Sequence, residues 1–332
     1  MRLIFLAVLM LQLLSPAALG SDGDTHVMMS SVPQVSLPTY EWNNSSVETR
    51  GVVIALHGTT RHGTAFDTTA RHLADLGFRV ISLDLRGHGE WHFGPTASNA
   101  GRYVDYAKSS DDLADLLKQV KSQNPRIPVF CLGESIGSGV VIRTAAAHSD
   151  LMDGIVLVSP GSRPRVYNLF LVIRDFLKGI TKLDRPLDLS GYIARYASED
   201  RRIVDEMLDD PRSRNRLSGR EILRTSWFLH GIPYQSRRVN KDMPVLLVQA
   251  EHDHIVGGYK RIWHRLQSRD KTLLRVPASG HVLLQTAFVK PAVLGSVSDW
   301  LSEHANSRAR ILAQTHPTLK AHALVPASEA TH

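Results

Sequence analysis

Residues 128–147 read Pro128-Val129-Phe130-Cys131-Leu132-Gly133-Glu134-Ser135-Ile136-Gly137-Ser138-Gly139-Val140-Val141-Ile142-Arg143-Thr144-Ala145-Ala146-Ala147. An apolar run of strand length enters a turn of small residues and leaves through a second apolar run rich in alanine. This is the pattern of a buried strand passing straight into a buried helix. The junction, Gly133-Glu134-Ser135-Ile136-Gly137, has the form G-x-S-x-G. Small residues are needed on both sides of such a serine because the turn is sharp, and a Cβ two residues away would collide with neighbouring backbone. The turn exposes the hydroxyl and aims a helix N-terminus at it. An ordinary glycine-rich turn would carry the same letters, so the partners decide the reading.

A serine hydroxyl is a poor nucleophile near neutral pH. It needs a histidine as base and a carboxylate to hold the imidazole in one tautomer. Working outward, Pro244-Val245-Leu246-Leu247-Val248-Gln249-Ala250 reads as a buried strand ending in Glu251-His252-Asp253-His254. A further strand, Thr272-Leu273-Leu274-Arg275-Val276-Pro277, ends in Ala278-Ser279-Gly280-His281. Both ends are where an open parallel sheet presents its ligands, and the order Ser, acid, His is one of the known chain orders of the triad. His281 is the expected base. Two carboxylates, Glu251 and Asp253, compete to orient it.

With these stretches in hand the chain resembles the α/β-hydrolases, and most of all their monoacylglycerol lipase and lysophospholipase branch, to which serine aminopeptidases are also close. The resemblance rests on Leu56-His57-Gly58-Thr59-Thr60, Asp84-Leu85-Arg86-Gly87-His88-Gly89, Gly133-Glu134-Ser135-Ile136-Gly137, Asp253-His254-Ile255-Val256 and Gly280-His281. Arg102-Tyr103-Val104-Asp105-Tyr106 is also similar to that branch, while Trp91 stands where a small residue is more usual. The resemblance implies Ser135 as nucleophile, His281 as base and Asp253 as the orienting acid, with Glu251 a solvated neighbour. It further implies an oxyanion hole made by the backbone N–H groups of Thr59 and Ile136. His57 is expected to pack beneath its loop rather than take part in the chemistry.

The rest of the chain fits a doubly wound, mostly parallel α/β sheet with an inserted helical cap. Leading antiparallel strands are expected from the alternation at Val27, Met29, Val35 and Leu37, confined to a sheet edge by Pro33 and Pro38. Residues 51–56 form a buried strand, 65–76 a helix ending at Gly77, and 78–83 the next strand. Asp84 to Gly89 is a structural turn that matches no phosphate-loop pattern. Ser110 is expected to cap a helix over 111–123, and 154–159 to add a strand. Strands alternating with helices in this way predict a parallel sheet. Residues 161–242 break the rhythm with helical stretches near 166–179, 190–196, 203–208 and 220–229, the expected cap over Ser135. A helix over 259–266, the strand before His281 and a helix near 289–303 complete the core. The expected division is a signal peptide at 1–20, core at 21–160, cap at 161–242, core at 243–304 and a disordered tail at 305–332.

At 332 residues and 43% hydrophobic content the chain can bury one large core. Met1-Arg2, an apolar run over 3–14 and the small-residue end Ser15-Pro16-Ala17-Ala18-Leu19-Gly20 have the three regions of a secretory signal. The expectation is cleavage after Gly20 and a secreted or periplasmic enzyme, the alternative being an uncleaved N-terminal membrane anchor. Cys131 is the single cysteine, so no internal disulfide can form, and it reads as a small buried hydrophobe. Asn43 and Asn44 each begin an N-x-S sequon.

Sixteen histidines invite a metal reading, but neither His252 and His254 nor His88 and His92 have the spacing of a strong site. No cofactor, metal, nucleic acid or obligate protein partner is expected. Three functions stay open: an ester hydrolase acting on monoacylglycerols, lysophospholipids or similar acyl esters; a serine aminopeptidase; and a non-catalytic module keeping only the fold. An aminopeptidase needs cap carboxylates to grip a substrate ammonium. Residues 161–242 instead carry 17 Lys and Arg against 11 Asp and Glu. That excess, with the apolar stretch 166–178, points to docking of the cap on an anionic membrane surface, whereas burial of the stretch beneath the cap is the plainer reading.

Overall fold

Alternation within each central strand builds two cores, one on each face of a single sheet. A computed structural model describes residues 37–94, 101–165 and 183–315. The expected signal peptide, the strand residues 27–36, the cap stretch 166–179 and the chain after 315 lie outside them. The sheet strands are β1 (Thr39–Trp42), β2 (Gly51–Leu56), β3 (Phe78–Leu83), β4 (Val129–Glu134), β5 (Gly154–Val158), β6 (Val245–Ala250) and β7 (Lys271–Val276). Val52, Ile54 and Leu56 of β2 and Cys131 of β4 face one core, while Val53 and Ala55 with Phe130 and Leu132 face the other. Both faces are apolar because helices cover both, the signature of parallel sheets.

The sheet order is β1-β3-β2-β4-β5-β6-β7, and every pairing is parallel except that of β1 with β3. Helices α1 (Asp67–Asp75), α2 (Tyr106–Gln123) and α3 (Ile136–Ala147) follow β2, β3 and β4 in turn. The chain runs from β2 outward to β3 and then crosses back to β4 on β2's other side. The crevice between the C-terminal ends of β2 and β4 is therefore the switch point, where doubly wound sheets bind their ligands. Ser135 and the Thr59 loop both sit there.

The cap holds α4 (Ser190–Tyr196), α5 (Arg201–Asp209) and α6 (Gly219–Ser236). Ile193, Ala197, Ile203 and Met207 close a small core of their own with Val282, the residue after His281. Two short antiparallel pairs were not foreseen: Arg163–Pro164 with Val256–Gly257, and Pro186–Asp188 with Arg216–Ser218. After the cap, α7 (Tyr259–Arg265) and α8 (Pro291–Thr315) return to the core.

Several boundaries move for identifiable reasons. Helix α2 begins at Tyr106, not 111, because Asp105 caps it by accepting from the Lys108 N–H, and Ser110 lies inside, donating to the Tyr106 carbonyl. Helix α6 runs through Pro233 to Ser236, since Leu229, Ile232, Pro233 and Ser236 are its buried face and that packing outweighs one lost hydrogen bond. Its start is fixed by a capping box between Ser218 and Glu221. The disordered tail expected from 305 is corrected: α8 continues to Thr315, Ala305 is buried, and Arg308 reaches Asp153 at 2.7 Å.

Candidate active site

Ser135 sits at φ 57°, ψ −119°, a left-handed conformation that L side chains rarely adopt. The strain is held by close packing of the turn. A Cβ on Gly137 would lie 2.2 Å from the Leu56 carbonyl oxygen, and one on Gly133 would lie 2.5 Å from the Gly137 backbone. The Ser135 N–H donates to the Val158 carbonyl of β5. Its own carbonyl accepts from the Ser138 N–H. Because N–H and C=O of a trans peptide point in opposite directions, the Ile136 N–H of that same peptide is turned the other way, and Ile136 lines the cavity above Ser135.

The structure brings Ser135, His281 and Asp253 together. Nε2 of His281 lies 2.7 Å from the Ser135 hydroxyl oxygen, and its Nδ1–H donates to Asp253 Oδ2 at 2.9 Å. The other Asp253 oxygen accepts from the N–H groups of Ile255 and Val256, both at 3.0 Å, which fixes the carboxylate. Burial pushes the Asp253 carboxyl up, but the charge and hydrogen bond of His281 and these N–H groups outweigh it and leave its pKa below the ordinary range. For His281 burial penalises the imidazolium, yet the charge and hydrogen bond of Asp253, with the charge of Glu134, hold its pKa above the ordinary histidine value. Glu251 is exposed and accepts from the Ala278 N–H, with Arg275 at 3.8 Å. It braces the loop before His281 and does not touch the ring.

The loop after β2 is oriented from below. His57 is fully buried: its Nδ1–H donates to the Gly58 carbonyl at 2.8 Å, and its Nε2 accepts from the Leu85 N–H at 3.0 Å. Burial, then the neighbouring His88, push its pKa well down, so the ring is neutral and structural. The Gly58 carbonyl also accepts from the Arg61 N–H. With that oxygen held inward, the Thr59 N–H on the other side of the peptide is turned toward the cavity. Among the described residues nothing accepts from the N–H of Thr59 or of Ile136. The Thr59 carbonyl in turn accepts from His88, whose pKa burial and Arg214 push down to about 4.

A second set of contacts, silent in the sequence, ties this loop to the cap. Arg61 is buried and donates to Glu206 at 2.7 Å, to Ser213 at 3.1 Å and to the Gln285 carbonyl at 3.2 Å. His62 lies 2.6 Å from Asp210, and the Arg214 N–H donates to the Thr60 carbonyl. Gln285 Oε1 accepts the Gly58 N–H at 2.8 Å. Trp91, in a short helix over Gly89–Phe93, stacks under Arg86, donates to the Asp84 carbonyl and packs where Gly101 leaves room for it, which accounts for a bulky residue at this position.

Above Ser135 opens a cavity of about 250 Å³. Its wall is mostly apolar, with Leu189, Ile193, Met207, Leu217, Leu229 and Val282 coming from the cap and the His281 loop. Arg61 and Arg165 reach it, and no described Asp or Glu lines it. Among the described residues no group of three His, Cys, Asp or Glu side chains could hold a metal. His252 is occupied instead by Glu199 at 2.5 Å.

The chemistry available is acyl transfer: a hydroxyl whose proton has a ready acceptor, a carboxylate that fixes that acceptor's tautomer, and two N–H groups facing the same space. A mostly parallel sheet with its serine at the switch point and helices inserted after β5 is the α/β-hydrolase fold. Within that class the chain belongs to the family described as "Serine aminopeptidase, S33", which it matches over residues 47–286. It is 25% identical over 270 residues to the monoacylglycerol lipase of Mycolicibacterium smegmatis, spanning 80% of this chain and 92% of that one. It is 26% identical over 262 residues to human monoglyceride lipase, spanning 76% and 83%. Among solved structures it is similar to a soluble variant of monoglyceride lipase from Saccharomyces cerevisiae in complex with a substrate analog, with a TM-score of 0.68 at 20% identity, covering 86% of this chain and 97% of that one.

Proposed function

We propose that the protein is a serine carboxylic ester hydrolase that cleaves acyl esters of the monoacylglycerol or lysophospholipid type through Ser135, His281 and Asp253. The observation that carries this reading is the hydrogen-bonded Ser135–His281–Asp253 chain at the floor of an apolar cavity without a described carboxylate. An acyl chain suits such a wall, whereas a substrate ammonium would need an acid there. The relatives named as monoacylglycerol and monoglyceride lipases support the same substrate class.

In the first half-reaction His281 Nε2 takes the Ser135 proton as Oγ bonds to the ester carbon. The carbonyl becomes an oxyanion received by the N–H groups of Thr59 and Ile136. When the carbon–oxygen bond to the alcohol breaks, His281 returns the proton to the leaving oxygen. Water then repeats the sequence on the acyl-enzyme, releasing the carboxylic acid. A panel of p-nitrophenyl acyl esters of graded chain length beside aminoacyl-p-nitroanilides tests the reading. Turnover of esters alone supports it, and preferential cleavage of the anilides would replace it with an aminopeptidase.

The site of action belongs to the same proposal. Residues 1–20 act as a cleaved secretory signal, and intact mass of exported protein starting at Ser21 is the check; a retained N-terminus would make the segment an anchor. The cap meets an anionic membrane through a face supported by Leu223, Trp227 and Tyr234 of α6, which are 49%, 84% and 62% exposed beside Arg220 and Arg224. The stretch 166–178 that first suggested this lies outside the described residues.

A further inference from the structure

Glu134 immediately precedes the expected nucleophile and is fully buried at the end of β4. It does not line the cavity. A buried carboxylate is costly unless its oxygens are satisfied, and these are. One accepts the Leu283 N–H at 2.6 Å, and the other accepts the N–H groups of Leu284 and Gln285, each at 3.0 Å. Every one of these contacts is a donor, as an ionised carboxylate requires. Burial pushes the Glu134 pKa above the ordinary range, against the pull of the Leu283 N–H, the His281 charge and the Leu284 and Gln285 N–H groups, and it is these donors that favour the charged form. The three donors are consecutive and begin two residues after His281. The start of the same segment is held by Ser159, whose hydroxyl donates to the His281 carbonyl at 2.8 Å.

We propose that Glu134 is a positioning residue that registers the His281 loop, and through Gln285 the Thr59 loop, against the nucleophile. One peptide bond separates Glu134 from Ser135, so whatever its carboxylate holds is placed relative to the hydroxyl with little slack. It holds residues 283–285. The Gln285 side chain then accepts the Gly58 N–H, and the Gln285 carbonyl accepts from Arg61, the residue whose own N–H helps turn the Thr59 peptide. Base and oxyanion donor are thus referred to one buried group. Such a supporting contact matters because an acyl-transfer site that is loose by about 1 Å loses roughly 10²-fold in rate. The carboxylate also places a second negative charge near the imidazolium that forms during the reaction, beside that of Asp253. The groups facing His281 are then Ser135, Asp253 and, behind the ring's own loop, Glu134.

This role rests on the serine-hydrolase reading, and the test separates the two. Phosphonylation of Ser135 by a fluorophosphonate, followed by intact mass, needs no knowledge of the substrate. An unlabelled wild-type protein would defeat the serine-hydrolase reading itself. With wild type labelled, Glu134→Gln is compared by thermal melting, labelling rate and ester kinetics against pH. The amide sets an N–H₂ against a backbone N–H. The expected result is a folded protein with KM within roughly 3-fold, kcat and labelling rate down by roughly 10²-fold, and an acid limb moved to lower pH because an anion near the imidazolium is gone. Glu134→Asp keeps the charge and shortens the reach, which also covers an amide variant that does not fold. It should lower kcat and leave the limb in place. Wild-type kcat and an unmoved limb in folded Glu134→Gln, or wild-type kcat in Glu134→Asp, would overturn the proposal.

Discussion

His281 and Ser135 are 146 residues apart in the chain, yet imidazole Nε2 and hydroxyl oxygen meet at 2.7 Å with both side chains buried. Contacts of this kind act as a unit, so removing either partner removes most of the effect of both. Ser135→Ala and His281→Ala are each expected to lower ester turnover by ~10³ or more, with melting temperatures near wild type. Asp253→Asn should be nearly as severe because the amide can hold the wrong tautomer, while Glu251→Gln, whose carboxylate stays off the ring, should be mild. The reverse ranking of the two acids would assign the orienting role to Glu251.

The pH dependence follows from the direction of the His281 shift. Only the neutral imidazole can take the serine proton. A pKa raised by Asp253 and Glu134 therefore puts the acid limb of kcat/KM above the ~6.5 of an unperturbed histidine. Rates should climb through that limb and level off on its alkaline side. Neutralising Asp253 in Asp253→Asn should move the limb of the residual activity downward. A wild-type limb below 6.5 would contradict the charge arrangement around the ring.

Where the cap meets the Thr59 loop, Asp210 carries a stability prediction. Burial pushes its carboxyl up, but the hydrogen bond and charge of His62 and the Arg61 guanidinium outweigh that and hold it down to about 2. A carboxylate with a depressed folded-state pKa stabilises fully above its unfolded value of ~3.9 and loses that stabilisation as pH falls toward about 2. Wild type should thus lose melting temperature between pH 4 and about 2 more steeply than Asp210→Asn does. At pH 7 the substitution should cost about 1.5–3 kcal/mol, the range for a hydrogen bond to a charged group. Parallel melting curves of the two proteins across that interval would show that the pair carries no such linkage.

The nucleophile turn allows little substitution. Gly137→Ala would drive a Cβ to 2.2 Å from the Leu56 carbonyl, at the point where the loops after β2 and β4 bring the two N–H groups of the proposed oxyanion site together. The backbone must shift, at a cost of about 3 kcal/mol, and the Ile136 N–H shifts with it. Soluble yield should fall, and whatever folds should label slowly with a fluorophosphonate. Wild-type labelling in a well-folded variant would mean the elbow is looser than its contacts imply.

The central features were legible because they depend on local chemistry. Gly133 and Gly137 signal a turn too tight for side chains, the apolar strands alternate between two cores, and Asp253 and His281 each follow a strand end. The start of α2 was misplaced because Asp105 and Ser110 are both competent caps, and only the burial of Tyr106 and Ser109 decides between them. The end of α8 was cut short because residues beyond 303 are mostly polar or small, and the contact that continues the helix, Arg308 to Asp153, spans 155 positions. Glu134, Arg61 and Gln285 are silent in the sequence for the same reason. Their partners are backbone N–H groups and carboxylates on distant loops, and nothing in their own neighbourhoods marks them.

The outer face of α6 gives the last prediction. Ile222, Thr225, Ser226 and Leu229 turn toward the cavity, so Leu223, Trp227 and Tyr234 are left on the opposite side, where Trp227 is 84% exposed. An indole with an apolar body and a single N–H is well suited to the headgroup boundary of a bilayer. Arg224 beside it would contribute about 1 kcal/mol near an anionic surface, while Arg220 is already paired with Asp184 at 2.8 Å and adds less, so the aromatic and apolar side chains supply much of the attachment. Protein lacking residues 1–20 should cosediment with phosphatidylserine-containing vesicles more than with phosphatidylcholine alone, and salt should weaken the binding as charges are screened. Trp227→Ala should reduce cosedimentation several-fold while leaving hydrolysis of a short soluble p-nitrophenyl ester unchanged, since the side chain points away from Ser135. Equal partitioning to both vesicle types, or binding that Trp227→Ala leaves untouched, would remove this face from the membrane contact.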